Sequence, residues 1–301
     1  MRKVLIGGKI FVIIVLLIVV WEKVEEQIHV DMKQFIPFSG ANEFVSPNIY
    51  MIDRESGDVV YEKKAKSKVY PASLTKIMTV IVALEHLDDL TKSVSIDQNT
   101  YQDMISKNSS MAGFLGGETV TYRDLLYGTM LPSGGEAANS LAIHTAGNVK
   151  DFVRMMNEKA AELGLHDTHF MNPEGLHDEN QYTTAYDVAS MLSYALNVPH
   201  FREVFTKETF QTSPTKEHPT GVLLKSTVLT LLHQEDKQGF EIIGGKSGTT
   251  SEAGQCWASL GVVNDREYIT VVMGAPLEDI RHPDRQQIKD TMKLYQKVTS
   301  I

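Results

Sequence analysis

The sequence predicts an α/β (α+β) fold, with a mixed antiparallel sheet built from both termini and flanked by a helical subdomain. Three observations support this prediction. Segments of strand character lie near the start and in the last third of the chain. The region between them carries apolar residues at helical spacing. Glycine and proline separate these segments, so each is interpreted as one element of a single α/β domain.

Each element follows from its local pattern. Residues 48–53 and 58–62 flank a Ser56-Gly57 turn and predict a β-hairpin. A helix of about 15 residues is predicted from Ser73, because apolar residues recur there at three- and four-residue intervals. The remaining predicted elements are helices at 122–130, 136–146, 150–163 and 185–196, strands at 240–249, 256–263 and 268–275, and a final helix at 283–298.

Composition and charge exclude several classes of protein. The 301 residues include 42% hydrophobic and 22% charged side chains, as in ordinary globular proteins, and carry a formal net charge of -9. A general nucleic-acid binder needs a basic surface to neutralise phosphates, so this class is excluded. The single cysteine, Cys256, excludes an intramolecular disulfide and a cysteine-rich metal site.

The first 21 residues are typical of a membrane-targeting segment. Arg2, Lys3 and Lys9 precede an unbroken apolar run at 10–21. No small-x-small cleavage pattern follows, which favours an uncleaved signal anchor over a removed signal peptide. Positive charge before the run keeps the N-terminus cytoplasmic and sends the rest of the chain outside. We therefore expect an anchor or signal peptide at 1–21, a linker or stalk at 22–45 and one domain at 46–301.

The segment Ser73-Leu74-Thr75-Lys76 stands at the predicted start of a helix. Residues i and i+3 share one helical face, so the serine hydroxyl and the lysine amine are expected to touch. Serine needs an adjacent base to act as a nucleophile, and burial together with the helix dipole favours the neutral amine that such a base requires. Taken alone, the pattern fits a serine that only caps the helix at least as well.

Two further short motifs carry candidate functional residues. The sequence Pro-Ser-Gly-Gly at 132–135 joins two predicted helices, where the Ser133 hydroxyl either points into a cleft or caps the next helix. The glycine-rich segment at 244–250 lies on a predicted strand and contains Lys246. Glycine in a strand often marks the close approach of another backbone, so a ligand carboxylate bound by Lys246 and nearby hydroxyls explains this composition. An anion-binding turn or a β-bulge is the alternative.

Together, S-x-x-K, then S-x-x, then K-[ST]-G on helix, loop and strand resemble the signature of the penicillin-recognising serine enzymes. The chain is similar to the D-alanyl-D-alanine carboxypeptidases, which are the low-molecular-mass penicillin-binding proteins, over residues 44–298. The segments that carry the resemblance most clearly are 71–79, 124–134 and 172–176. The resemblance implies a β-lactamase/transpeptidase-like fold with the site between the helical part and the sheet.

The resemblance also implies a role for each motif residue. Ser73 would attack the carbonyl carbon between the two terminal D-alanines of a peptidoglycan stem peptide, with Lys76 as general base and Ser133 as proton relay. Backbone N–H groups of Ser73 and Thr249 would form the oxyanion hole. β-lactam antibiotics would acylate the same serine, and no metal or organic cofactor is implied. The residues that would bind the substrate and its terminal carboxylate are Lys246, Ser247, Gly248 and Thr249.

Two features depart from the family pattern. The family's second motif has asparagine two residues after its serine, and this chain has Gly135 there. Glu136 and Asn139 are the nearby polar residues that could replace the missing amide. The sequence after Lys246 is also too short for the C-terminal β-domain and amphipathic anchor that members often add. We therefore expect no C-terminal β-domain and assign membrane attachment to the N-terminal segment.

Two alternative functions remain open. One is a β-lactamase of the same fold, against which the missing second-motif asparagine argues. The other is a catalytically weak protein that binds D-Ala-D-Ala ends or penicillin without efficient hydrolysis, and Gly135 is the feature that supports it.

Several other reactive side chains are interpreted as non-catalytic. The histidines His166, His169 and His177 lack the tight spacing of metal ligands. Glu174 lies in an Asn-Pro-Glu-Gly turn and is predicted to have a surface role rather than to act as a base for deacylation. Cys256 lies beside a tryptophan in a predicted strand, which indicates a core residue.

Overall fold

Strands at both ends of the described chain enclose a central block of helices, as the sequence predicts. The computed structural model describes residues 43–232 and 239–300. In chain order the strands are β1 (Asn48–Asp53), β2 (Val59–Lys63), β3 (Ser93–Ser95), β4 (Thr119–Thr121), β5 (Thr209–Gln211), β6 (Leu223–Lys225), β7 (Phe240–Thr250), β8 (Gly254–Val263) and β9 (Arg266–Ala275). The helices are α1 (Thr75–His86), α2 (Gln98–Ser106), α3 (Tyr122–Met130), α4 (Gly135–Ala146), α5 (Val149–Glu162), α6 (Ala185–Ala195), α7 (Phe201–Phe205), α8 (Leu229–Leu232) and α9 (Gln286–Val298).

The central sheet has five strands in the order β2-β1-β9-β8-β7. Every neighbouring pair is antiparallel, and β1 pairs along its whole length with β9 from the other end of the chain. The predicted sheet from both termini is therefore confirmed. Cys256, predicted to be a core residue, is fully buried on β8. At one edge of the sheet, β7 packs against a short 3₁₀ turn, Ala72–Leu74, that leads into α1.

Helix α1 runs through the centre of the helical block. Its residues 75–83 are all buried, and it contacts α3, α4, α5 and α6. A helix that is enclosed on all sides is typical of a protein core. Residues 172–176, which we call the connector, lie between α5 and α6. The hydroxyl of Thr79 donates a hydrogen bond to the carbonyl oxygen of Pro173 at 2.6 Å, which joins α1 to this connector. The turn at the start of α1 is therefore held in place by both helices and connector.

Most predicted boundaries agree with the structure; the exceptions are the start of the last helix and the elements that were not predicted. The helix predicted at 122–130 coincides with α3. The last helix begins at Gln286 rather than at 283, because Arg285 has a left-handed backbone with φ 59°. The elements without a sequence prediction are α2, α7, α8 and the two-stranded ribbons β3–β4 and β5–β6. The ribbons, α7 and α8 contain too few residues to reveal a period. Helix α2 is as long as α3, but Met104 is its single buried residue, so its sequence shows no apolar face.

Side-chain caps determine where two helices of the block begin. Thr121 and Asp124 form a capping box at α3: the Thr121 hydroxyl accepts from the backbone N–H of Asp124 at 3.1 Å, and the Asp124 carboxylate accepts from that of Thr121 at 3.0 Å. The Asn148 side chain accepts from the backbone N–H of Asp151 at 2.8 Å at the start of α5. Both caps satisfy backbone N–H groups that the first turn of a helix leaves without an intrahelical partner.

The predicted membrane segment at 1–21 and residues 22–42 of the predicted linker lie outside the described residues. Phe44, near the end of that linker, is buried and packs edge-on against Tyr61 with ring centroids 4.9 Å apart. Across 43–232 and 239–300, no helix has both the length and the apolar character needed to cross a membrane. The division of the chain into anchor, linker and domain stays a prediction.

We expect Thr121→Ala to lower the free energy of unfolding by about 1 kcal/mol, because it removes the cap of α3. Thr119→Ala, an exposed position on the same strand, is the matched control and should change the free energy by less than about 0.5 kcal/mol. Urea denaturation followed by circular dichroism measures both. Equal losses at the two positions would contradict the stabilising role of the capping box.

Candidate active site

Ser73 and Lys76 meet at the start of α1, as their spacing predicts. Ser73 is the middle residue of the Ala72–Leu74 turn and is half-buried, whereas Lys76 is 1% exposed. The Lys76 ammonium nitrogen Nζ lies 3.2 Å from Ser73 Oγ. It also donates a hydrogen bond to the carbonyl oxygen of Glu174. The lysine is therefore fixed by one contact to the serine and one to the backbone of the connector.

The turn that carries Ser73 is held in an unusual conformation by close neighbours. Ala72 has φ +46°, a left-handed conformation that non-glycine residues rarely adopt and that costs roughly 1–3 kcal/mol. Gly175, with φ +85°, packs so closely that a Cβ there would lie 2.1 Å from the Ala72 carbonyl oxygen. A Cβ at Gly248 on β7 would lie 2.8 Å from the Ser73 nitrogen. Only glycine at both positions lets the connector and the strand reach the serine.

A second serine–lysine contact joins the α3–α4 loop to the sheet. Lys246 Nζ on β7 lies 2.9 Å from Ser133 Oγ and 2.8 Å from the carbonyl oxygen of Ser247. Both interacting side chains are buried, at 5% exposure for Ser133 and 1% for Lys246. Ser133 has a left-handed backbone with φ +67°, which directs its side chain differently from those of the flanking helices. The second and third predicted motifs are therefore in direct contact.

The remaining predicted residues of the third motif follow Lys246 along β7. Ser247 and Thr249 are half-buried, and the Ser247 hydroxyl lies 2.8 Å from the hydroxyl of Thr227. Thr227 was not predicted from the sequence, since it follows a three-residue strand and carries no motif. Thr249 pairs with Gln255 on β8, and β7 is the terminal strand of the sheet. Its outer edge therefore lies beside the turn that carries Ser73.

Burial lowers the pKa of both lysines. The pKa of Lys76 falls to about 8 because burial disfavours the charged amine, while the carboxylates of Glu174 and Glu136 offset part of this effect. The pKa of Lys246 lies well below its ordinary value, first because of burial and second because of the charge of Lys76. A neutral amine accepts a proton, so Lys76 is suited to take the proton of the hydroxyl that it contacts.

The missing side chain at Gly135 is not replaced at the same place. A Cβ at Gly135 would lie 2.3 Å from Ser109 Oγ and 2.9 Å from Met104 Sδ, so these two residues occupy the space beside α4. One turn along α4, Asn139 Nδ2 donates to the carbonyl oxygen of Gly135 and to Glu174 Oε2, each at 3.0 Å. An amide is therefore present, but it is directed at a carboxylate.

Glu136, the other residue considered as a replacement, has a different task. Its Oε1 accepts hydrogen bonds from the backbone N–H groups of Ala112, Gly113 and Phe114 at 2.6, 3.0 and 3.3 Å. Its Oε2 is buried without a hydrogen-bond partner among the described residues. Burial raises the pKa of Glu136, and these backbone hydrogen bonds counteract the increase. Glu136 therefore forms its hydrogen bonds with the backbone of the loop at 112–114 and not with Lys76.

The prediction of a surface role for Glu174 is wrong. The residue is 5% exposed, its carbonyl oxygen accepts from Lys76, and its carboxylate accepts from Asn139. The Asn-Pro-Glu-Gly sequence does form a turn, since Gly175 has φ +85° and its N–H donates to Asn172 Oδ1 at 2.7 Å. Contacts with α1 and α4 bury this turn, and no local pattern in the sequence reports such contacts.

A serine–lysine pair at the start of a helix, facing a second lysine at the edge of a sheet, is the arrangement of the penicillin-recognising serine enzymes. The chain belongs to the D-alanyl-D-alanine carboxypeptidase family, whose sequence model matches residues 39–277. This match covers all three motifs.

Curated relatives agree with this assignment. The D-alanyl-D-alanine carboxypeptidase DacF of Bacillus subtilis is 33% identical over 225 residues, which cover 75% of this chain and 56% of that protein. DacC of Escherichia coli is 31% identical over 246 residues, which cover 79% of this chain and 58% of that protein. The chain thus spans a little more than half the length of these relatives.

Solved structures confirm the predicted β-lactamase/transpeptidase-like fold. The Streptomyces K15 DD-transpeptidase matches with a TM-score of 0.76 and 30% identity, over 86% of this chain and 98% of that one. Penicillin-binding protein 5 of Haemophilus influenzae matches with a TM-score of 0.73 and 26% identity, over 85% of this chain and 71% of that one.

We expect Gly175→Ala to destabilise the protein far more than Gly147→Ala. Both glycines have left-handed backbones, so each alanine costs about 1 kcal/mol or slightly more in strain. A Cβ at Gly147 meets open space, whereas one at Gly175 overlaps the Ala72 carbonyl oxygen. The difference in the free energy of unfolding, measured by urea denaturation, should be about 2 kcal/mol or more. Equal losses would contradict the tight packing of the connector on the serine turn.

Proposed function

We propose that the protein is a serine-type D-Ala-D-Ala carboxypeptidase that removes the terminal D-alanine from peptidoglycan stem peptides through an acyl-enzyme on Ser73. The observation that carries this proposal is the 3.2 Å contact between Lys76 Nζ and Ser73 Oγ at a buried place that favours the neutral amine. Membership of the D-alanyl-D-alanine carboxypeptidase family supports the substrate class. β-lactam antibiotics are proposed to acylate the same hydroxyl.

In the proposed acylation step, Ser73 Oγ attacks the carbonyl carbon between the two D-alanines, and its proton moves to Lys76 Nζ. A C–O bond forms as the C–N bond breaks, and the departing amine of D-alanine needs a proton. Ser133 is proposed to relay to this amine the proton that Lys76 has taken, because the Ser133 hydroxyl is buried and contacts Lys246, whose pKa responds to the charge of Lys76. In deacylation, the water oxygen forms a bond to the ester carbon as the bond from that carbon to Ser73 Oγ breaks; Lys76 takes a proton from the water and passes it to Ser73 Oγ.

Lys246 is proposed to bind the terminal carboxylate of the substrate, together with the hydroxyls of Ser247 and Thr249. Burial keeps the pKa of Lys246 low in the free protein. An incoming carboxylate supplies the opposite charge that favours the ammonium form, so binding and charging of this lysine are expected to occur together. Gly248 supports this geometry, because only a residue without Cβ allows β7 to approach the Ser73 turn so closely.

Backbone N–H groups of Ser73 and Thr249 are proposed to form the oxyanion hole. The close approach of Gly248 to the Ser73 nitrogen supports this, since Thr249 is the next residue on the same strand edge. Donors fixed by backbone need no reorganisation when negative charge develops on the carbonyl oxygen, and each is worth about 3–4 kcal/mol.

We also propose that the catalytic part lies on the extracytoplasmic face of a bacterial cell membrane, attached by residues 1–21 unless these are cleaved. The charge asymmetry of this segment supports the orientation. The peptidoglycan substrate requires the same location, and residues 46–301 are proposed to form one catalytic domain. N-terminal sequencing of the membrane-bound protein distinguishes an anchor from a removed signal peptide.

The full-length protein should release D-alanine from diacetyl-Lys-D-Ala-D-Ala and be labelled covalently by a fluorescent penicillin. Ser73→Ala should abolish both, because it removes the attacking oxygen, whereas Ser67→Ala on the exposed surface should change neither. Penicillin labelling without release of D-alanine would contradict the proposal and favour a weak binding protein. Rapid turnover of penicillin would instead identify a β-lactamase.

The acylation rate should rise with pH and level off above about 8, the pKa of Lys76. The sign follows from the role of a base: below its pKa the lysine is protonated, so the rate falls about tenfold for each pH unit. Stopped-flow labelling by the fluorescent penicillin measures this profile. A rate that is constant through this pH range would exclude Lys76 as the base.

A further inference from the structure

Glu174 is a buried acidic residue that the proposed reaction does not use. Its carbonyl oxygen accepts the hydrogen bond from Lys76 Nζ, and its carboxylate accepts one from Asn139 Nδ2 at 3.0 Å. The backbone of Glu174 thus contacts Lys76 directly, and the charge of its side chain raises the pKa of the same lysine. Electrostatic attraction couples the carboxylate of Glu174 directly to the Lys76 ammonium.

The amide that meets this carboxylate is itself held in place. Asn139 is 4% exposed and lies on α4, and its Nδ2 also donates to the carbonyl oxygen of Gly135 at 3.0 Å. A buried carboxylate without a hydrogen bond or an opposite charge is costly, so its partners determine whether it stays ionised. Burial raises the pKa of Glu174, whereas Lys76 and the hydrogen bond from Asn139 lower it.

The other charged groups around this pair come from three elements. Glu136 on α4 is acidic, and it is engaged by the backbone of the loop at 112–114. Lys246 on β7 is basic and opposes the charge of Lys76. Lys107, directly after α2, is basic and acts on Glu174 from the surface. Of the two carboxylates that raise the pKa of Lys76, Glu174 has the larger effect, and it alone of the two accepts a hydrogen bond from a side-chain amide.

We propose that Glu174 is a positioning residue for Lys76: held by Asn139, its buried carboxylate balances the charge of the lysine and replaces the amide that Gly135 lacks. The inference rests on the proposed function, because it assigns its effect to Lys76 as the base. The two residues form one unit that joins the connector to α4. The second motif of the family has asparagine where this chain has Gly135, and in this chain the Asn139 amide is bonded to the Glu174 carboxylate.

The charge of Glu174 has two expected consequences. It favours the ammonium form of Lys76, which keeps the lysine protonated to higher pH in the free protein. It also stabilises the ammonium that forms when Lys76 takes the proton of Ser73, so acylation is faster once the lysine starts neutral. Removal of the charge should therefore lower the maximal acylation rate and move the rise of the pH profile to lower pH.

The first experiment compares full-length variants by the pH dependence of labelling with a fluorescent penicillin. Glu174→Gln should lower the maximal rate about tenfold or more and shift the rise of the profile down by about one pH unit or more. Glu174→Asp keeps the charge and should keep the rise at the wild-type pH. Asn139→Leu should shift the rise in the same direction by less, because Glu174 loses the donor that keeps it ionised.

Glu179→Gln is the matched control, since this glutamate is exposed in the same part of the chain. It should leave the rate and profile unchanged. A rate loss in Glu174→Gln without a shift of the profile would overturn the proposal, because a purely structural role lowers the rate at every pH. Labelling does not need D-alanine release. If Glu174→Gln shifts the pH profile of labelling but the wild-type protein releases no D-alanine, the proposed function is wrong and this inference stands. If the wild-type protein releases D-alanine but the variant leaves the profile unshifted, the proposed function stands and this inference is wrong.

A second experiment tests the charge balance without any reaction. Below its pKa of about 8, Lys76 is charged in the folded protein and depends on Glu174, whereas at higher pH it is neutral. The drop in Tm caused by Glu174→Gln should therefore be largest near neutral pH and shrink as the pH rises above that pKa. A drop in Tm of the same size near neutral pH and above the pKa of Lys76 would overturn the proposal.

Discussion

The burial of the Lys76 amine at the start of α1 is the constraint on which the site depends. Because its side chain is buried, Lys76 must either be neutral or have its charge balanced by an opposite charge and by hydrogen bonds. The carbonyl of Glu174 and the hydroxyl of Ser73 occupy its hydrogen-bonding positions. Burial lowers the pKa of Lys76, and the carboxylates of Glu174 and Glu136 raise it again, whereas the charge of Lys76 lowers the pKa of the second buried amine, Lys246. The balance places the pKa of Lys76 at about 8, which suits its proposed role as the base.

This balance requires three chain segments that are distant in sequence to meet within hydrogen-bond distance. The serine turn lies between the connector at 172–176 and strand β7, and glycines at both contacts let the backbones touch. Ala72 and Ser133 adopt left-handed conformations at this junction. Strain of this kind persists only where surrounding structure imposes it. Here the buried helix α1 and the five-stranded sheet provide that support.

Local patterns in the sequence predict the fold class and, within the site, the contact between Ser73 and Lys76. Helix α3, the β1–β2 hairpin and the last three strands follow from periodicity, and the Ser73–Lys76 contact follows from helical spacing. The family resemblance, and not spacing, implied that Ser133 and Lys246 belong to one site, since the two are far apart in the chain; their direct contact was not predicted. The predicted surface role of Glu174 is wrong because contacts with α1 and α4 bury its turn. Burial created by distant elements leaves no trace in a local sequence window.

The most direct measurement of the central claim is an NMR titration of the Lys76 side-chain nitrogen in protein with ¹⁵N-labelled lysine, assigned by comparison with Lys76→Ala. We expect a pKa of about 8 for this nitrogen, well below the ordinary 10.5. A titration at the ordinary value would contradict this expectation, because the fraction of neutral Lys76 that can accept the proton of Ser73 at neutral pH would then be more than about a hundredfold smaller.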